Sequence, residues 1–224
     1  MIHLQNLCKT YTLNGKHKVV ARDITATFPS GVSVALLGRN GAGKSSLLRM
    51  ISGAMLPSSG KILSTGTISW PVGFSGSFST QLTGEQNCRF VARVYGVDTE
   101  ELLHFVEDFA ELGNHFRLPI RTYSSGMRSR LAFGLSMAVP FDTYLVDEVS
   151  AVGDAAFKAK SNHVFNERMS RAGAIVVSHS MSLLREICHA GAVLEQGRLT
   201  FYQDIEAAIA AHLSNMKLNK SSLI

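Results

Sequence analysis

The sequence predicts an α/β fold in which a mostly parallel sheet is interrupted by a helical insertion. Strand-like segments alternate with helical ones, a glycine-rich turn stands between an apolar strand and a helix, and helix-start patterns dominate from Thr83 to Pro140. The 224 residues are 46% hydrophobic and 17% charged, which is typical of a globular protein. We therefore expect a single folded domain over residues 1–224.

The first part of the chain is predicted to consist mainly of strands. Apolar and β-branched residues predict strands at Val19–Phe28 and Val32–Leu37, which a turn at Pro29–Gly31 separates. An apolar helical segment follows the glycine-rich turn and should end at Gly53. Lys61–Trp70 has the pattern of a hairpin.

The second part begins with helices and returns to strands. Thr83 and Gln86 form a capping-box pattern, and Thr99 opens a helix with an acidic first turn. Further elements are predicted as strands at Asp142–Glu148 and Gly173–His179, a hairpin at Ala192–Tyr202 and a final helix capped by Asp204. We expect a core made of residues 1–82 and 141–224, with a helical subdomain at 83–140.

Charge and cysteine content exclude several classes of protein. The net charge of +5 is mild and scattered, so it suits phosphate ligands, anionic membranes or nucleic acid without choosing among them. Cys8, Cys88 and Cys188 lie far apart and form no CxxC pair, so neither a disulfide framework nor a zinc site is indicated. The sequence shows no signal-peptide pattern and no apolar run long enough to cross a bilayer, so reducing cytosol is expected and any work at a membrane would need a partner.

The stretch "GRNGAGKS" at Gly38–Ser45 carries the strongest chemical signal. It matches G-x-x-x-x-G-K-[ST], in which glycines let backbone amides surround phosphate oxygens at the start of a helix. Lys44 is expected to reach the β- and γ-phosphates, and Ser45 to bind Mg²⁺. A glycine turn with a chance lysine is the alternative, and the strand before and helix after the motif oppose it. The predicted nucleotide-binding residues of this stretch are Gly38, Arg39, Asn40, Gly41, Ala42, Gly43, Lys44, Ser45 and Ser46.

An apolar strand that ends in two acids supplies the second half of such a site. In "YLVDE" at Tyr144–Glu148, Asp147 is predicted to hold Mg²⁺ through its water shell. Glu148 faces differently and is the candidate base that polarises the attacking water. Two adjacent carboxylates with different roles indicate hydrolysis of the nucleotide.

A third pattern is "YSSGM" at Tyr123–Met127, just before a segment with helical spacing. On their own, Ser124, Ser125 and Gly126 are ordinary helix-start residues. Together with the glycine loop, "YLVDE", "SAVGD" and "VVSHS" in this order, they resemble the ATP-binding subunit of an ABC transporter over nearly the whole chain. The resemblance implies a P-loop NTPase fold with a small antiparallel β-subdomain and a helical insertion.

The resemblance also assigns roles to individual residues. In that family, a serine-glycine signature caps a helix that points at the γ-phosphate bound by the opposite subunit; Ser124 and Gly126 match it, whereas Ser125 replaces its first glycine and Met127 its glutamine. By the same resemblance, Tyr11 stacks on adenine, His179 contacts the γ-phosphate and orients Glu148, and Asp154 couples the two sites of a dimer. The glutamine that senses Mg²⁺ in the family has no clear match, and either Ser79 or Gln81 could fill its place.

Several peptides resemble one branch, the ATPase subunits of capsular-polysaccharide exporters of the polysialic acid type. These are "SWPVGF" at Ser69–Phe74, "LTGEQNCRFVARVYG" at Leu82–Gly96, "TYSSGMRSRLAF" and "AVGD". The resemblance implies a homodimer that binds ATP and Mg²⁺ below two copies of an integral membrane permease, with further export components, at the cytoplasmic face of the bacterial inner membrane.

Alternative functions are an O-antigen or teichoic acid exporter, a soluble ABC-type ATPase acting on DNA or ribosomes, and a regulatory nucleotide-binding module without catalysis. The sequence shows no long heptad repeat, tandem cassette or basic surface interleaved with aromatic residues, so we expect no nucleic-acid partner. Glu148 and His179 oppose the non-catalytic alternative.

Overall fold

The computed structural model describes residues 1–13, 15–74, 76, 78–147 and 155–221. The strands are β1 (Ile2–Leu13), β2 (Lys16–Phe28), β3 (Ser33–Leu37), β4 (Ser59–Ser64), β5 (Ile68–Pro71), β6 (Thr143–Asp147), β7 (Gly173–Val177), β8 (Ala190–Glu195) and β9 (Arg198–Tyr202). The helices are α1 (Lys44–Ile51), α2 (Gly84–Tyr95), α3 (Thr99–Ala110), α4 (Ser125–Ala138), α5 (Ala155–Met169), α6 (Met181–Ile187) and α7 (Ile205–Ser221). Short 3-10 turns lie at Gly113–Arg117 and Ile120–Thr122. No helix within the described residues is long and apolar enough to span a bilayer.

The strands form two sheets. The larger sheet has the order β5-β6-β7-β3-β8-β9, and its strands are parallel except for β9, which pairs antiparallel with β8. The smaller sheet has the order β2-β1-β4 and is antiparallel. The predicted mostly parallel sheet and small antiparallel sheet are therefore confirmed.

Buried strands hold the larger sheet in the core. Every residue of β3 and of β7 is buried, and both strands are rich in Val, Ile, Leu and Ala. Such continuous apolar runs are typical of parallel strands that are covered on both faces. Leu36, Leu48 and Ile175 belong to the same buried cluster, so the helix after β3 packs into the core of this sheet.

The chain divides into two compact units. One unit contains Met1–Pro71, Phe141–Glu148 and Met169–Ile224, and the other contains Val72–Pro140 and Val149–Arg168. This division describes packing, and where the functional subdomains of the chain begin and end stays a prediction.

The second unit is built from capped helices, as the sequence predicts. The Thr83 side chain accepts from the Gln86 amide at 3.0 Å, and the Gln86 side chain accepts from the Thr83 amide at 3.0 Å, which confirms the capping box of α2. Asp98 caps α3, one residue before the predicted opening at Thr99. In this unit the Phe109 ring packs 5.6 Å from that of Phe133, centroid to centroid.

The predicted hairpin at Lys61–Trp70 is wrong. Strand β4 pairs with β1 in the small sheet, whereas β5 pairs with β6 in the large one. The Thr67 amide donates to Asp142 Oδ2 at 2.7 Å, and this bond fixes β5 beside a distant part of the chain. Hydrogen bonds from Thr67 also lower the pKa of Asp142 below its ordinary value. Two strands that are close in sequence therefore separate because each finds its partner elsewhere.

The predicted hairpin at Ala192–Tyr202 is confirmed as β8 and β9. Its turn residues Gln196 and Gly197 have φ of 49° and 79°, as a two-residue turn between antiparallel strands requires. The Arg22 amide donates to the Gly197 carbonyl at 2.7 Å. This bond ties β2 of the small sheet to the turn of the large one.

Candidate nucleotide-binding site

The glycine loop and two further predicted site residues come to one edge of the large sheet. The glycine loop follows β3, His179 follows β7 by two residues, and Asp147 ends β6. Asp147 lies opposite Val177 in the parallel β6–β7 pair, and β3 lies on the other side of β7. Because the carboxyl ends of parallel strands meet at one edge, the topology gathers these residues where α/β proteins bind their ligands.

The glycine loop is closely surrounded by neighbouring strands. Gly43 has φ of 110°, and a Cβ on it would lie 2.8 Å from Val20 Cβ. A Cβ on Gly38 would lie 2.5 Å from the Leu194 carbonyl oxygen in β8. Both positions therefore require glycine, because a side chain would collide with strands that hold the loop in place.

Lys44 begins α1 and turns back over the loop. Its Nζ donates to the Gly38 carbonyl at 2.7 Å and to the Arg39 carbonyl at 3.1 Å. These bonds hold the ammonium group against the loop backbone, next to the amides of the α1 N-terminus. The lysine is thus positioned to meet an anion that the loop binds.

A cavity of about 410 Å³ lies in front of the loop. The residues that line it are Tyr11, Lys18, Val20, Asn40, Gly41, Gly43, Lys44, Ser45, Ser46 and His179. The structure therefore brings Tyr11 and His179 together with the loop, as the sequence analysis expects. Gly38, Arg39 and Ala42 belong to the loop but are not among the lining residues, and neither is Asp147.

Tyr11 reaches the loop from β1. Its hydroxyl lies 3.0 Å from Ser46 Oγ and donates to Met55 Sδ at 3.1 Å. The Lys9 ammonium lies 5.4 Å from the centroid of the Tyr11 ring. Tyr11 is 37% exposed, so these contacts fix its hydroxyl end while part of the residue remains available to a flat ligand.

Of His179, Glu148 and Asp154, only His179 is among the residues that the structure describes. His179 is exposed and lies just before α6. Glu148 and Asp154 lie outside the described residues. The roles of all three stay predictions.

The start of α4 carries the predicted signature. Ser124 is its N-cap, and its hydroxyl accepts from the Met127 amide at 3.2 Å. Ser124 and Ser125 are exposed, and apart from adjacent residues and the backbone of its own helix, the described atom nearest to a Cβ on Gly126 would be Ser124 Oγ, at 3.9 Å. The helix-start prediction is confirmed, and the role of this segment in nucleotide binding stays a prediction.

Ser79 and Gln81 precede α2 and are both exposed. The Ser79 backbone is held by the buried side chain of Asn87, whose Oδ1 accepts from the Ser79 amide at 3.0 Å and whose Nδ2 donates to the Ser79 carbonyl at 3.1 Å. The choice between Ser79 and Gln81 for the glutamine role stays open as a prediction.

The cavity fits a nucleotide by its chemistry. Two ammonium groups and two serine hydroxyls line it, and none of its described lining residues carries a carboxylate. Such a surface favours an anion, and the tyrosine ring offers a face for a base. Ser45 and Asp147 carry oxygen atoms of the kind that Mg²⁺ prefers, and their role as ligands stays a prediction.

Lys18 also lines this cavity, although it is not among the predicted site residues. Lys18 lies opposite Tyr11 in the β1–β2 pair, and Leu13 lies opposite Lys16 at its end. The signal was the dipeptide Asn14-Gly15, which favours a two-residue hairpin turn and so sets this register.

Comparison with known proteins identifies the family. Residues 21–151, more than half of the chain, match the family described as ABC transporter. The chain belongs to the ABC transporter family. It is 52% identical over 213 residues to the polysialic acid transport ATP-binding protein KpsT of Escherichia coli, covering 93% of this chain and 95% of that protein. It is 44% identical to the capsule polysaccharide export ATP-binding protein CtrD of Neisseria meningitidis serogroup B, covering 93% and 96% of the two chains.

Solved structures agree with the ABC fold. The ATP-binding subunit of an ABC transporter matches with a TM-score of 0.78 at 22% identity, over 98% of both chains. A dimeric ATP-binding cassette in a post-hydrolysis state, bound to ADP and Pi, matches with a TM-score of 0.73 at 18% identity, over 92% of this chain and 99% of that one. The fold class and the ABC family predicted from the sequence are confirmed, and the relatives' names agree with the capsular branch.

Proposed function

We propose that this ABC protein is the ATP-hydrolysing subunit of an exporter that moves capsular polysaccharide through a separate membrane subunit. The observation that carries the proposal is the cavity in which the glycine loop, Lys44, Tyr11 and His179 meet. The export of polysaccharide is supported by the similarity to transport proteins for polysialic acid and capsule polysaccharide. We place the protein at the cytoplasmic face of the inner membrane.

The predicted site residues have different parts in hydrolysis. Tyr11 holds the base, the loop amides hold the phosphates, and the Lys44 ammonium stabilises charge on the β- and γ-phosphates. Ser45 and Asp147 would hold Mg²⁺, which supplies further neutralisation of phosphate charge. Glu148 polarises the attacking water, and His179 orients Glu148 and contacts the γ-phosphate.

A second copy of the chain completes the site. The exposed start of α4, with Ser124, Ser125 and Gly126, offers amides and a hydroxyl to an anion and carries a helix-terminal positive potential. We assign it to the γ-phosphate bound by the partner chain of a homodimer, in which Asp154 couples the two sites. A structural neighbour of this chain is itself a dimeric cassette.

The membrane subunit is proposed to dock on the helical unit. Phe90 and Val94 lie four residues apart on α2 and are 63% and 60% exposed. Residues with this spacing are neighbours on a helix surface, so they form an apolar patch that a partner can cover. We expect two permease copies above the dimer, together with further components of the export system.

The test replaces the proposed base. Glu148→Gln should retain ATP binding, accumulate as an ATP-bound dimer and lose turnover, because the water is no longer activated while the phosphate contacts remain. The purified variant is compared with Glu186→Gln, which changes an exposed glutamate of the same unit. ATP hydrolysis is measured by phosphate release, and dimerisation by size-exclusion chromatography with light scattering.

The polysaccharide assignment is tested in a capsule-producing cell. Deletion of the gene should leave polysaccharide inside the cell, and the wild-type gene, unlike Glu148→Gln, should restore it to the surface. Normal hydrolysis by Glu148→Gln would refute the assigned base, and normal capsule in the deletion strain would refute the transport function.

A further inference from the structure

Lys18 presents a second ammonium group to the nucleotide cavity. It lies on β2 and lines the cavity together with the glycine loop. Its Nζ lies 3.7 Å from the point at which a Cβ on Gly41 would stand. The side chain therefore extends from the small antiparallel sheet to the middle of the loop.

The register of the small sheet explains this placement. Tyr11 and Lys18 are directly opposite in the β1–β2 pair, and opposite residues project to the same face of a sheet. Tyr11 points to the loop, since its hydroxyl meets Ser46 Oγ at 3.0 Å. The base platform and the second cation thus come from one cross-strand pair.

Within the described part of the chain, the ammonium group of Lys18 forms no ion pair. Among the residues that the structure describes, no carboxylate lies within 4.0 Å of its Nζ. Lys9, on the neighbouring strand, differs because its Nζ donates to the Leu56 carbonyl at 2.8 Å. An ammonium group without an anionic partner beside a phosphate site can form a charge-assisted hydrogen bond to the phosphate without breaking an existing ion pair.

We propose that Lys18 is a nucleotide-binding residue that contacts the phosphate tail and makes the affinity of this cavity depend on the number of phosphates. The proposal rests on the proposed function and adds a residue to the same site. Because Lys18 is exposed, water screens its charge, so the expected effect is about three- to fivefold in affinity rather than the loss expected from changing Lys44.

The chain offers a matched control for this residue. Lys16 is exposed, carries the same charge and lies two residues earlier on β2, but it is not among the residues that line the cavity. Lys18→Met and Lys16→Met change the net charge equally, but only Lys18→Met removes a charge that lines the cavity. Lys18→Arg keeps the charge at the cavity.

The experiment measures the affinities of the full chain for ATP, ADP and adenosine by calorimetry, and the KM and kcat for ATP. Lys18→Met should raise the dissociation constant for ATP about three- to fivefold, that for ADP less, and that for adenosine not at all. KM should rise while kcat stays unchanged, and Lys18→Arg should restore the affinity. Lys16→Met should match the wild type.

Equal effects of Lys18→Met and Lys16→Met on ATP affinity would overturn the proposal, as would an equal loss for adenosine and ATP. If the wild type binds no ATP, or Lys44→Ala binds it normally, the proposed function fails as a whole. If Lys44→Ala abolishes binding while Lys18→Met binds ATP as the wild type does, only the role of Lys18 fails.

Discussion

The glycine loop and the start of α4 are both glycine-containing helix starts, but they stand in opposite surroundings. Strands β2 and β8 press on the loop so closely that a Cβ on Gly43 would lie 2.8 Å from Val20 Cβ. At α4, a Cβ on Gly126 would lie no closer than 3.9 Å to any described atom other than its chain neighbours and the backbone of its own helix. The loop is thus enclosed by its own chain, whereas the start of α4 has open surroundings, as the proposed contact with a partner chain requires.

Of these two glycines, Gly43 in the loop should be the more sensitive to substitution. Gly43→Ala places a side chain at φ of 110° and against Val20, so we expect it to cost about 2–4 kcal/mol and to abolish ATP binding. Gly53→Ala is the control, because Gly53 has φ of 77° with no described neighbour within 4 Å of its Cβ position. That variant should cost about 1 kcal/mol and bind ATP normally.

Urea unfolding and calorimetric ATP titration measure these two effects. Normal ATP affinity of Gly43→Ala would show that the crowding of the loop does not shape the phosphate site.

Gly126→Ala should weaken dimerisation and leave the stability of the monomer unchanged or slightly higher. The φ of Gly126 is not positive and its surroundings are open, so alanine should leave stability unchanged or raise it by up to about 1 kcal/mol. In a dimer, however, the added methyl group would stand between the helix start and the partner's phosphate. We expect normal ATP binding by the monomer, and at least tenfold weaker ATP-dependent dimerisation when the change is combined with Glu148→Gln.

Light scattering of Glu148→Gln with and without Gly126→Ala measures the dimerisation. Dimers of equal stability would contradict the assignment of this helix start to a shared site.

The smallest expected effect concerns His212, a buried residue of α7. Burial, and next the charge of Lys44, lower the pKa of His212 below 6.5, while Glu195 opposes them. The unfolded chain therefore binds the proton more readily, and the stability that neutral His212 contributes is present above pH 6.5 and is lost as the pH falls below it. His104, in the helical unit, is exposed and therefore serves as the comparison residue.

His212→Gln should flatten the fall in melting temperature between pH 7.5 and 5.5 by a few degrees. His104→Gln should leave that fall as in the wild type, and thermal melts at both pH values measure it. An identical pH dependence in the wild type and His212→Gln would contradict the linkage.

The sequence predicted the elements that depend on neighbouring residues. The capping box of Thr83 and Gln86 and the N-cap Ser124 were predictable because each is satisfied within one turn of helix. The resemblance to the ABC family predicted that His179 would lie near the phosphate site, and His179 does line the same cavity as the glycine loop.

Features that depend on distant pairing were not predictable. The separation of β4 from β5 follows from the bond between Thr67 and Asp142, which are far apart in sequence. Lys18 was missed for a different reason. Asn14-Gly15 indicates the register that sets Lys18 opposite Tyr11, but the approach of this pair to the glycine loop joins separate parts of the chain. The same limit applies to the signature at Ser124, whose expected ligand belongs to a second chain.

Alternate residues of strand β2 contact other parts of the chain: Lys18 lines the nucleotide cavity, Val20 borders Gly43 of the glycine loop, and the Arg22 amide bonds to the Gly197 carbonyl in the β8–β9 turn. A slip of one position in the pairing of β1 with β2 would withdraw all three contacts together. The turn between β1 and β2 therefore sets the register on which these contacts depend. An insertion in this turn would therefore impair nucleotide binding even though the residues of the glycine loop, Asp147 and Glu148 were unchanged in sequence.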